Sequence, residues 1–217
     1  MNYERLYEYR FRGIDQKVRQ AVWNKISAYL YREMGEPKRV LDPAAGRCEF
    51  INAVPAEERW VVDEVDYAAA HRAKGVKLIT ANILDAKLPE DYFDGIFVSN
   101  FLEHLSTQEQ VASFLEKMKR CLKPGGVIAV MGPNFKYCAS EYFDCADHTL
   151  ALTHVAVAEH LHAAGLTPTK ISPRFLPYSF RGLLPPSPAL TELYLRLPIV
   201  WPLLGKQFLL IAKKPAA

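Results

Sequence analysis

Short apolar runs alternate with amphipathic stretches along most of this chain. The runs end in polar residues, as buried strands do, and several of the stretches between them carry apolar residues at helical spacing. Five strand–helix alternations predict an α/β fold in which helices cover both faces of a parallel sheet. The first predicted strand ends at Asp42. The six that follow span Arg59–Asp63, Val76–Thr80, Phe93–Ser99, Val127–Met131, about Thr169–Arg174 and Gln207–Lys213.

Two helices stand out in this pattern. Near the start, Val18, Val22, Ile26 and Leu30 recur every four residues and form one apolar face, so we expect residues 1–36 to cover one edge of the sheet. The second helix follows Thr107, a candidate N-cap, and its apolar stripe is expected to lie in the core. That stripe consists of Val111, Phe114, Leu115, Met118 and Leu122.

The stretch 39–50 joins the first strand to a helix that opens near Glu49. Its turn runs through Ala44, Ala45 and Gly46, and such small residues let backbone N–H groups approach a ligand. The start of a helix favours negative charge, whereas a carboxylate at the strand end, Asp42, suits a cationic or hydroxyl-bearing partner. We therefore expect a ligand-binding turn.

This turn resembles the first motif of the class I S-adenosylmethionine (SAM) dependent methyltransferases, Asp-x-Gly-x-Gly-x-Gly. The three family glycines fall on Ala44, Gly46 and Cys48, so the central one is kept. Later phrases are also similar to the family: Phe-Asp at 93, Ser-Asn-Phe-Leu-Glu-His at 99 and Leu-Lys-Pro-Gly-Gly at 122. The resemblance covers about residues 39–166. It implies a Rossmann-like three-layer sandwich whose mostly parallel seven-stranded sheet closes in a C-terminal antiparallel hairpin.

The resemblance implies that SAM binds at the carboxyl edge of the first four strands. Nucleotide-binding folds place an acidic residue about 20 positions past the turn, where it hydrogen-bonds the ribose. Asp63 lies at that distance and is the expected ribose ligand, with Glu64 and Asp66 as rivals. A solvated acidic strand end is the plainer interpretation of the same pattern.

The adenine and the carboxylate of the cofactor have their own expected partners. Asn82 and Ile83 are expected to hold the adenine, with Asp85 as a fallback, because an amide oxygen can accept the same hydrogen bond as an acid. Arg19 is expected to pair with the cofactor carboxylate. The complete set of expected cofactor residues is Arg19, Asp42, Ala44, Gly46, Cys48, Asp63, Asn82, Ile83, Ser99 and Asn100.

The segment from Gly132 to Thr149 has no clear period and is predicted to be a functional loop that recognises the methyl acceptor. His148 and His104 are the candidate proton acceptors, because imidazole titrates near neutrality. Asp147 is expected to raise the basicity of His148. The favoured acceptor is a small molecule, with methyl transfer to a hydroxyl of a sugar or another hydroxylated metabolite.

No metal site is expected in this loop. Cys138, Cys145 and His148 bring three possible ligands together in sequence, but their spacing is not a recognised zinc pattern. Buried thiols more often act as small hydrophobic side chains.

Two other functions stay open. Ala44, Cys48 and Asn82 depart from the residues usual in the methyltransferase family. The chain could therefore be a catalytically inactive module that binds SAM or a protein partner. An NAD(P)-dependent oxidoreductase would use a similar sheet, although the turn lacks Gly-x-Gly-x-x-Gly and the chain shows no Tyr-x-x-x-Lys pair.

Length and charge narrow these options. A chain of 217 residues fits a single methyltransferase domain, 1–217. The formal net charge of +3 is too small to indicate a nucleic-acid partner. Residues 1–34 lack the apolar core of a signal peptide, and four cysteines are too few for a disulfide framework, so a cytoplasmic location is expected.

Residues 176–205 are predicted to be an apolar insertion before the last strand. Leu190, Leu193, Tyr194 and Leu197 share one helical face that Pro198 ends, and a second apolar group follows from Ile199 to Leu204. Acidic, basic and proline residues interrupt the segment, so it is not expected to cross a membrane. Packing over the sheet or a lid over the acceptor is one interpretation of 183–204. Among the others, a homodimer contact is favoured over peripheral membrane binding.

Overall fold

A seven-stranded sheet forms the centre of the protein. The structure is a computed structural model that describes residues 3–64, 67–178 and 186–216. The strands are β1 (Arg39–Asp42), β2 (Glu58–Asp63), β3 (Val76–Thr80), β4 (Phe93–Ser99), β5 (Leu122–Pro133), β6 (Thr167–Ser172) and β7 (Gln207–Lys213).

The strand order is β3-β2-β1-β4-β5-β7-β6. The pairs β3–β2, β2–β1, β1–β4 and β4–β5 are parallel, whereas β7 lies antiparallel between β5 and β6. This topology confirms the predicted Rossmann-like sheet with its antiparallel C-terminal hairpin. The carboxyl ends of the parallel strands therefore meet at one edge, where open α/β sheets bind ligands.

Helices pack on both faces of the sheet and form two apolar cores. One core contains the buried stripe of the helix that follows Thr107, and the other contains the buried face of the long N-terminal helix. The helices are α1 (Tyr3–Phe11), α2 (Gln16–Glu33), α3 (Glu49–Ala53), α4 (Tyr67–His71), α5 (Gln108–Cys121), α6 (Phe135–Tyr142), α7 (His154–Ala163), α8 (Pro188–Arg196) and α9 (Trp201–Leu204).

The capping residues explain where the two predicted helices begin. The Asp15 carboxylate accepts hydrogen bonds from the backbone of Lys17 and Val18 at the start of α2. At the start of α5, the Thr107 hydroxyl accepts the backbone N–H of Gln110 at 3.2 Å. Such caps stabilise a helix by about 1 kcal/mol. α2 then packs against α3, which places the N-terminal helix beside the first turn.

Two segments differ from their predicted structure. β5 begins at Leu122, five residues before the predicted strand at Val127, because buried Leu122 pairs with Phe93 and a register shift absorbs the residues between. The predicted loop 132–149 contains helix α6, which Asn134 caps and which is kinked at Cys138. A kinked helix that buries few residues has no clear 3.6-residue period, so the sequence pattern concealed it.

The apolar insertion contains the predicted helix, and most of its shared apolar face is exposed. α8 buries Leu195, while Leu190, Leu193 and Leu197 are exposed. Residues 179–185 of this segment lie outside the described residues. In the described part of the chain, no helix combines the length and the apolar character needed to span a bilayer.

Candidate active site

The expected cofactor residues lie where parallel strands end. Asp42 ends β1 and Asp63 ends β2, while Asn82 follows β3 and Asn100 follows β4. Because these strands are parallel and adjacent, their ends share the carboxyl edge of the sheet. The structure thus brings together the strand-end residues that sequence analysis proposed from separate stretches.

The first turn keeps a glycine-like backbone although two family glycines are replaced. Gly46 and Cys48 both adopt left-handed φ angles, +48° and +57°. Such a conformation is unusual for a residue with a Cβ. The Cys48 side chain is fully buried, with its Sγ 3.7 Å from the Ala68 carbonyl oxygen, and burial raises the pKa of the thiol to about 12. Cys48 replaces the third glycine, and the packing of its side chain in the core holds the backbone in the left-handed conformation.

Three carboxylates, those of Asp42, Asp63 and Glu49, lie near the turn. Asp42 is buried, and its pKa is raised to about 8 chiefly by burial, with a smaller effect from the negative charges of Asp63 and Glu49, although the backbone of Ala44 hydrogen-bonds it. The Asp63 carboxylate accepts the backbone N–H of Gly46 at 2.9 Å. A cation bound here would relieve the repulsion between these charges. The turn therefore suits a positively charged ligand.

Arg19, the expected partner of the cofactor carboxylate, pairs with Glu49 in this structure. Its guanidinium contacts both oxygens of Glu49, with Nη2 at 3.1 Å from Oε2, and it lies 4.2 Å from the ring centroid of Phe11. Both charged side chains are mostly buried. The pair joins α2 to the start of α3 and so fixes the N-terminal helices beside the turn.

The residues expected to hold the adenine differ in exposure. Asn82 is exposed, and its Oδ1 already accepts the backbone N–H of Leu84 at 2.9 Å. Ile83 is buried in the core that contains α5, with 5% of its surface exposed. Glu64, one rival for the ribose, lies 3.4 Å from the Asn82 amide nitrogen, and Asp66, the other, lies outside the described residues.

Ser99 and Asn100 close the end of β4. Asn100 has a left-handed φ of +48°, and its side-chain amide donates a hydrogen bond to the Ser99 hydroxyl at 2.9 Å. Its backbone N–H also bonds to the Met131 carbonyl on β5. Polar groups of both residues therefore lie at the carboxyl edge of the sheet, at the end of β4.

Two segments far apart in sequence hold His104 and His148 together. The Glu103 carbonyl accepts the backbone N–H groups of Thr149 and Leu150 at 2.8 and 3.2 Å. His104 Nδ1 lies 2.9 Å from the Asp147 carbonyl oxygen. The two imidazole centroids are 5.0 Å apart, edge to face. Both candidate proton acceptors thus lie in one cluster after β4.

Asp147 has the expected raising effect on the pKa of His148, but other effects outweigh it. Burial and the nearby His104 lower the pKa of His148 to about 4, and the opposing effect of Asp147 is smaller. Asp147 is engaged elsewhere: its carboxylate forms a salt bridge with Arg10 and lies 3.6 Å from His104 Nδ1. His148 is therefore a neutral imidazole at pH 7, and its own Nδ1 is buried without a partner among the described residues.

Sequence analysis missed Glu103 and Arg10. Glu103 is 3% exposed, its Oε1 has no partner among the described residues, and burial raises the pKa of this carboxyl. It stood in the phrase that carries His104, so its position beside a candidate base was a usable signal. Arg10 lies 137 residues from Asp147, and no local pattern connects them.

The remaining loop residues form a wall beside the histidines. Tyr142 and Tyr178 have ring centroids 4.8 and 6.5 Å from that of His148, and Cys145 Sγ lies 3.4 Å from the Tyr178 hydroxyl. Cys138 is buried elsewhere, with its thiol donating to the Asn134 carbonyl. The three-ligand set Cys138, Cys145 and His148 is therefore not among the possible metal-binding groups of the described residues.

Sequence comparison identifies the family of the central region. Residues 39–130 match the family model of the methyltransferase domain. No curated protein sequence matches the chain at a significant level.

Solved structures share the fold over nearly the whole chain. A SAM-dependent methyltransferase from Archaeoglobus fulgidus is 21% identical, with 98% of this chain and 100% of that chain covered and a TM-score of 0.66. A possible histamine N-methyltransferase from Thermotoga maritima is 12% identical, with 98% and 96% covered and a TM-score of 0.69. A chain of the Haloferax volcanii complex between the Trm112 methyltransferase activator and a putative methyltransferase is 16% identical, with 97% of each chain covered and a TM-score of 0.69.

Proposed function

We propose that this chain, in which residues 39–130 form a class I SAM-dependent methyltransferase domain, methylates a hydroxyl group of a small molecule such as a sugar or another hydroxylated metabolite. The enzyme class and the cofactor SAM belong to the domain. The kind of acceptor and the roles of individual residues are the proposal. We treat 1–217 as one catalytic domain, and the four free thiols fit a reducing compartment such as the cytoplasm.

The acidic first turn supports a definite orientation of SAM. The methionine end of the cofactor carries an ammonium and a sulfonium, and these cationic groups favour the ionised carboxylates of Asp63 and Asp42 at that turn. We assign the ribose to Asp63 and the adenine to the region of Asn82 and Ile83. Arg19 binds the cofactor carboxylate in this proposal, which requires that its contact with Glu49 opens.

The observation that carries the hydroxyl acceptor is the pair of imidazoles: His148, whose buried Nδ1 has no partner among the described residues, and His104, whose ring centroid lies 5.0 Å away. In the proposed step the acceptor oxygen attacks the methyl carbon in line with the sulfonium, and the C–S electron pair returns to sulfur, giving S-adenosylhomocysteine. The acceptor proton passes to His148, with His104 beside it as the second candidate. Alignment of donor and acceptor supplies most of such a rate enhancement, and proton removal adds about 10²–10⁴-fold.

Two measurements test this function. Calorimetry should show binding of SAM and S-adenosylhomocysteine but not of NADH. SAM with a labelled methyl group should then label hydroxylated small molecules in preference to matched amines. Label on amines alone would overturn the hydroxyl acceptor, and cofactor binding without transfer to any acceptor would support the inactive SAM-binding module.

We also propose that the exposed apolar part of 183–204 forms a homodimer contact. Ile199 and Leu203 are 83% and 75% exposed, and Leu190, Leu193, Leu197 and Leu204 extend the same segment with further exposed apolar side chains. Exposed apolar surface of this kind marks contact with another molecule. One structural neighbour is a complex with an activator protein, so a different protein partner is the main alternative.

A further inference from the structure

We propose that Glu103, His104 and His148 bind a divalent transition-metal cation. Each offers one ligand atom, and these three atoms lie within 4.8 Å of one another. Two imidazoles and one carboxylate are ligands that Zn²⁺, Co²⁺, Fe²⁺ and Mn²⁺ accept, and three protein ligands leave coordination positions open for a substrate. This cluster lies after β4, away from the acidic turn assigned to SAM.

The spacing is close to what a metal needs. Atoms 4.8 Å apart at the corners of a triangle lie about 2.8 Å from its centre. Bonds from zinc to nitrogen or oxygen are about 2.0–2.2 Å long, so each side chain has to move by less than about 1 Å.

Two of the three side chains have buried atoms that lack a hydrogen-bond partner. Glu103 Oε1 and His148 Nδ1 are both inaccessible to solvent and unpartnered among the described residues. A buried carboxylate oxygen without a partner costs several kcal/mol or forces the group to take up a proton. A cation bound by Glu103 through Oε1 and by His148 through Nδ1 would satisfy both atoms at once.

The third side chain, His104, has one ring nitrogen engaged and one left for a metal. Its Nδ1 lies 2.9 Å from the Asp147 carbonyl oxygen, and a carbonyl only accepts, so Nδ1 carries the proton. The lone pair is then on Nε2. Metal-bound histidines typically donate their second ring nitrogen to a carbonyl or carboxylate in this way.

The charges around the cluster also favour a cation. Arg10 on α1 is the cationic group that faces it, and Arg10 is paired with the Asp147 carboxylate. Among the described residues of the cluster there are two carboxylates, Asp147 and Glu103. The salt bridge neutralises Asp147, and no salt bridge within the described part of the chain neutralises Glu103. The hydrogen bonds from Thr149 and Leu150 to the Glu103 carbonyl hold the two ligand-bearing segments together before any metal arrives.

Metal binding itself follows from these residues, whereas its catalytic use rests on the proposed function. A cation with an open position would coordinate the acceptor hydroxyl oxygen and lower its pKa, so that the proton leaves to solvent before the methyl group is transferred. His148 would then act as a ligand instead of as the proton acceptor. The acceptor site and the metal site are the same place in this proposal.

Titration of the metal-free protein with Co²⁺ tests the site, because bound Co²⁺ gives a visible absorption spectrum. We expect one Co²⁺ per chain. Glu103→Gln, which keeps the size of the side chain, and His104→Ala should each weaken binding at least tenfold. The matched control is His162→Ala on α7, an exposed histidine outside the cluster, and it should bind like the wild type.

Circular dichroism and thermal unfolding verify that each variant is folded. If His104→Ala does not fold, Glu103→Gln alone provides the test. Binding weaker than millimolar in the wild type, or equal binding by wild type and Glu103→Gln, would overturn the proposal. SAM affinity is measured on the same samples. Lost Co²⁺ binding with normal SAM affinity leaves the proposed function intact, whereas Co²⁺ binding without SAM affinity contradicts the proposed function and not the metal site.

Discussion

The backbone N–H of Gly46 donates a hydrogen bond to the Asp63 carboxylate across 2.9 Å, so the ligand-binding turn after β1 is tied to the end of β2. In the proposed site the same carboxylate also bonds a ribose hydroxyl of the cofactor. Asp63 thus has two roles in the proposed site, one toward the turn and one toward the cofactor.

Asp63→Ala should lower SAM affinity more than tenfold, because a hydrogen bond to a charged group contributes about 1.5–3 kcal/mol. Isothermal titration calorimetry measures the change directly. Asp144→Ala, which removes an exposed carboxylate from the segment after α6, serves as the control and should bind SAM normally. A change of less than twofold in Asp63→Ala would show that the ribose ligand is another residue.

Gly46→Ala separates backbone strain from contact with the cofactor. A Cβ at Gly46 would meet no atom of the described residues within 4 Å, so its structural cost comes from the φ of +48° and should be about 1–2 kcal/mol of unfolding free energy. We expect a loss of SAM affinity in addition, because the new methyl group projects into the space assigned to the cofactor. Chemical denaturation and calorimetry on the same variant give the two numbers, and unchanged affinity would exclude a close approach of SAM to Gly46.

The raised pKa of Asp42 predicts an unusual pH dependence. Its pKa is about 8 in the folded protein against an ordinary value of 3.8, so the folded state binds the extra proton and stability is lost as pH rises from about 4 to about 8. Relative to Asp42→Asn, the wild-type free energy of unfolding should fall across this window in the absence of SAM. Denaturant unfolding at pH 5, 7 and 8.5 measures the difference.

Binding of SAM provides a second check on Asp42. Its cationic groups favour the ionised carboxylate, so binding near pH 7 should release protons from Asp42. Calorimetry in buffers of different ionisation enthalpy detects this release, which should disappear in Asp42→Asn. If wild type and Asp42→Asn have parallel curves of stability against pH and release the same number of protons on binding SAM, the pKa of Asp42 is not raised.

The strand ends were predictable because each obeys a local rule. Asp42, Asp63 and Asn100 follow apolar runs, and the carboxyl ends of parallel strands share one edge. The salt bridge between Arg10 and Asp147 was not predictable, because it joins a helix at one end of the chain to a loop far along it. The kinked helix α6 was also missed, since its burial of Cys138 and Tyr142 leaves no helical stripe to recognise.

His148→Ala should reduce turnover by about 10²–10⁴-fold while SAM binding persists, if His148 accepts the proton of the acceptor. The pH profile provides a sharper test. Since burial lowers the pKa of His148 to about 4, the acidic limb of the wild-type rate should lie near pH 4 and not near the ordinary 6.5 of histidine. His162→Ala is again the matched control. A His148→Ala variant that loses both stability and activity but keeps the wild-type pH profile would indicate a structural histidine.

Ile199→Glu combined with Leu203→Glu should convert a dimer into a monomer. Both side chains are largely exposed, so charge there should leave the fold intact. Trp201 between them is unsuitable for this test, because it is buried and its ring lies 5.0 Å from that of Phe175. Light scattering should give twice the 24.6 kDa chain mass for the wild type and a single chain mass for the double variant.

Val155→Glu controls for the added charge, since Val155 is a half-exposed apolar residue on α7 and should remain dimeric when changed. A stable dimer interface buries roughly 1,200–2,000 Å² in total, which a group of six exposed apolar side chains can help to supply. Sedimentation with anionic liposomes distinguishes the membrane alternative, for which Arg196 is the one basic residue between 183 and 204. A monomeric wild type that binds liposomes less after the double substitution would replace the dimer with a membrane contact. A monomer with no liposome binding would mean that the segment packs over the acceptor site or awaits a different protein.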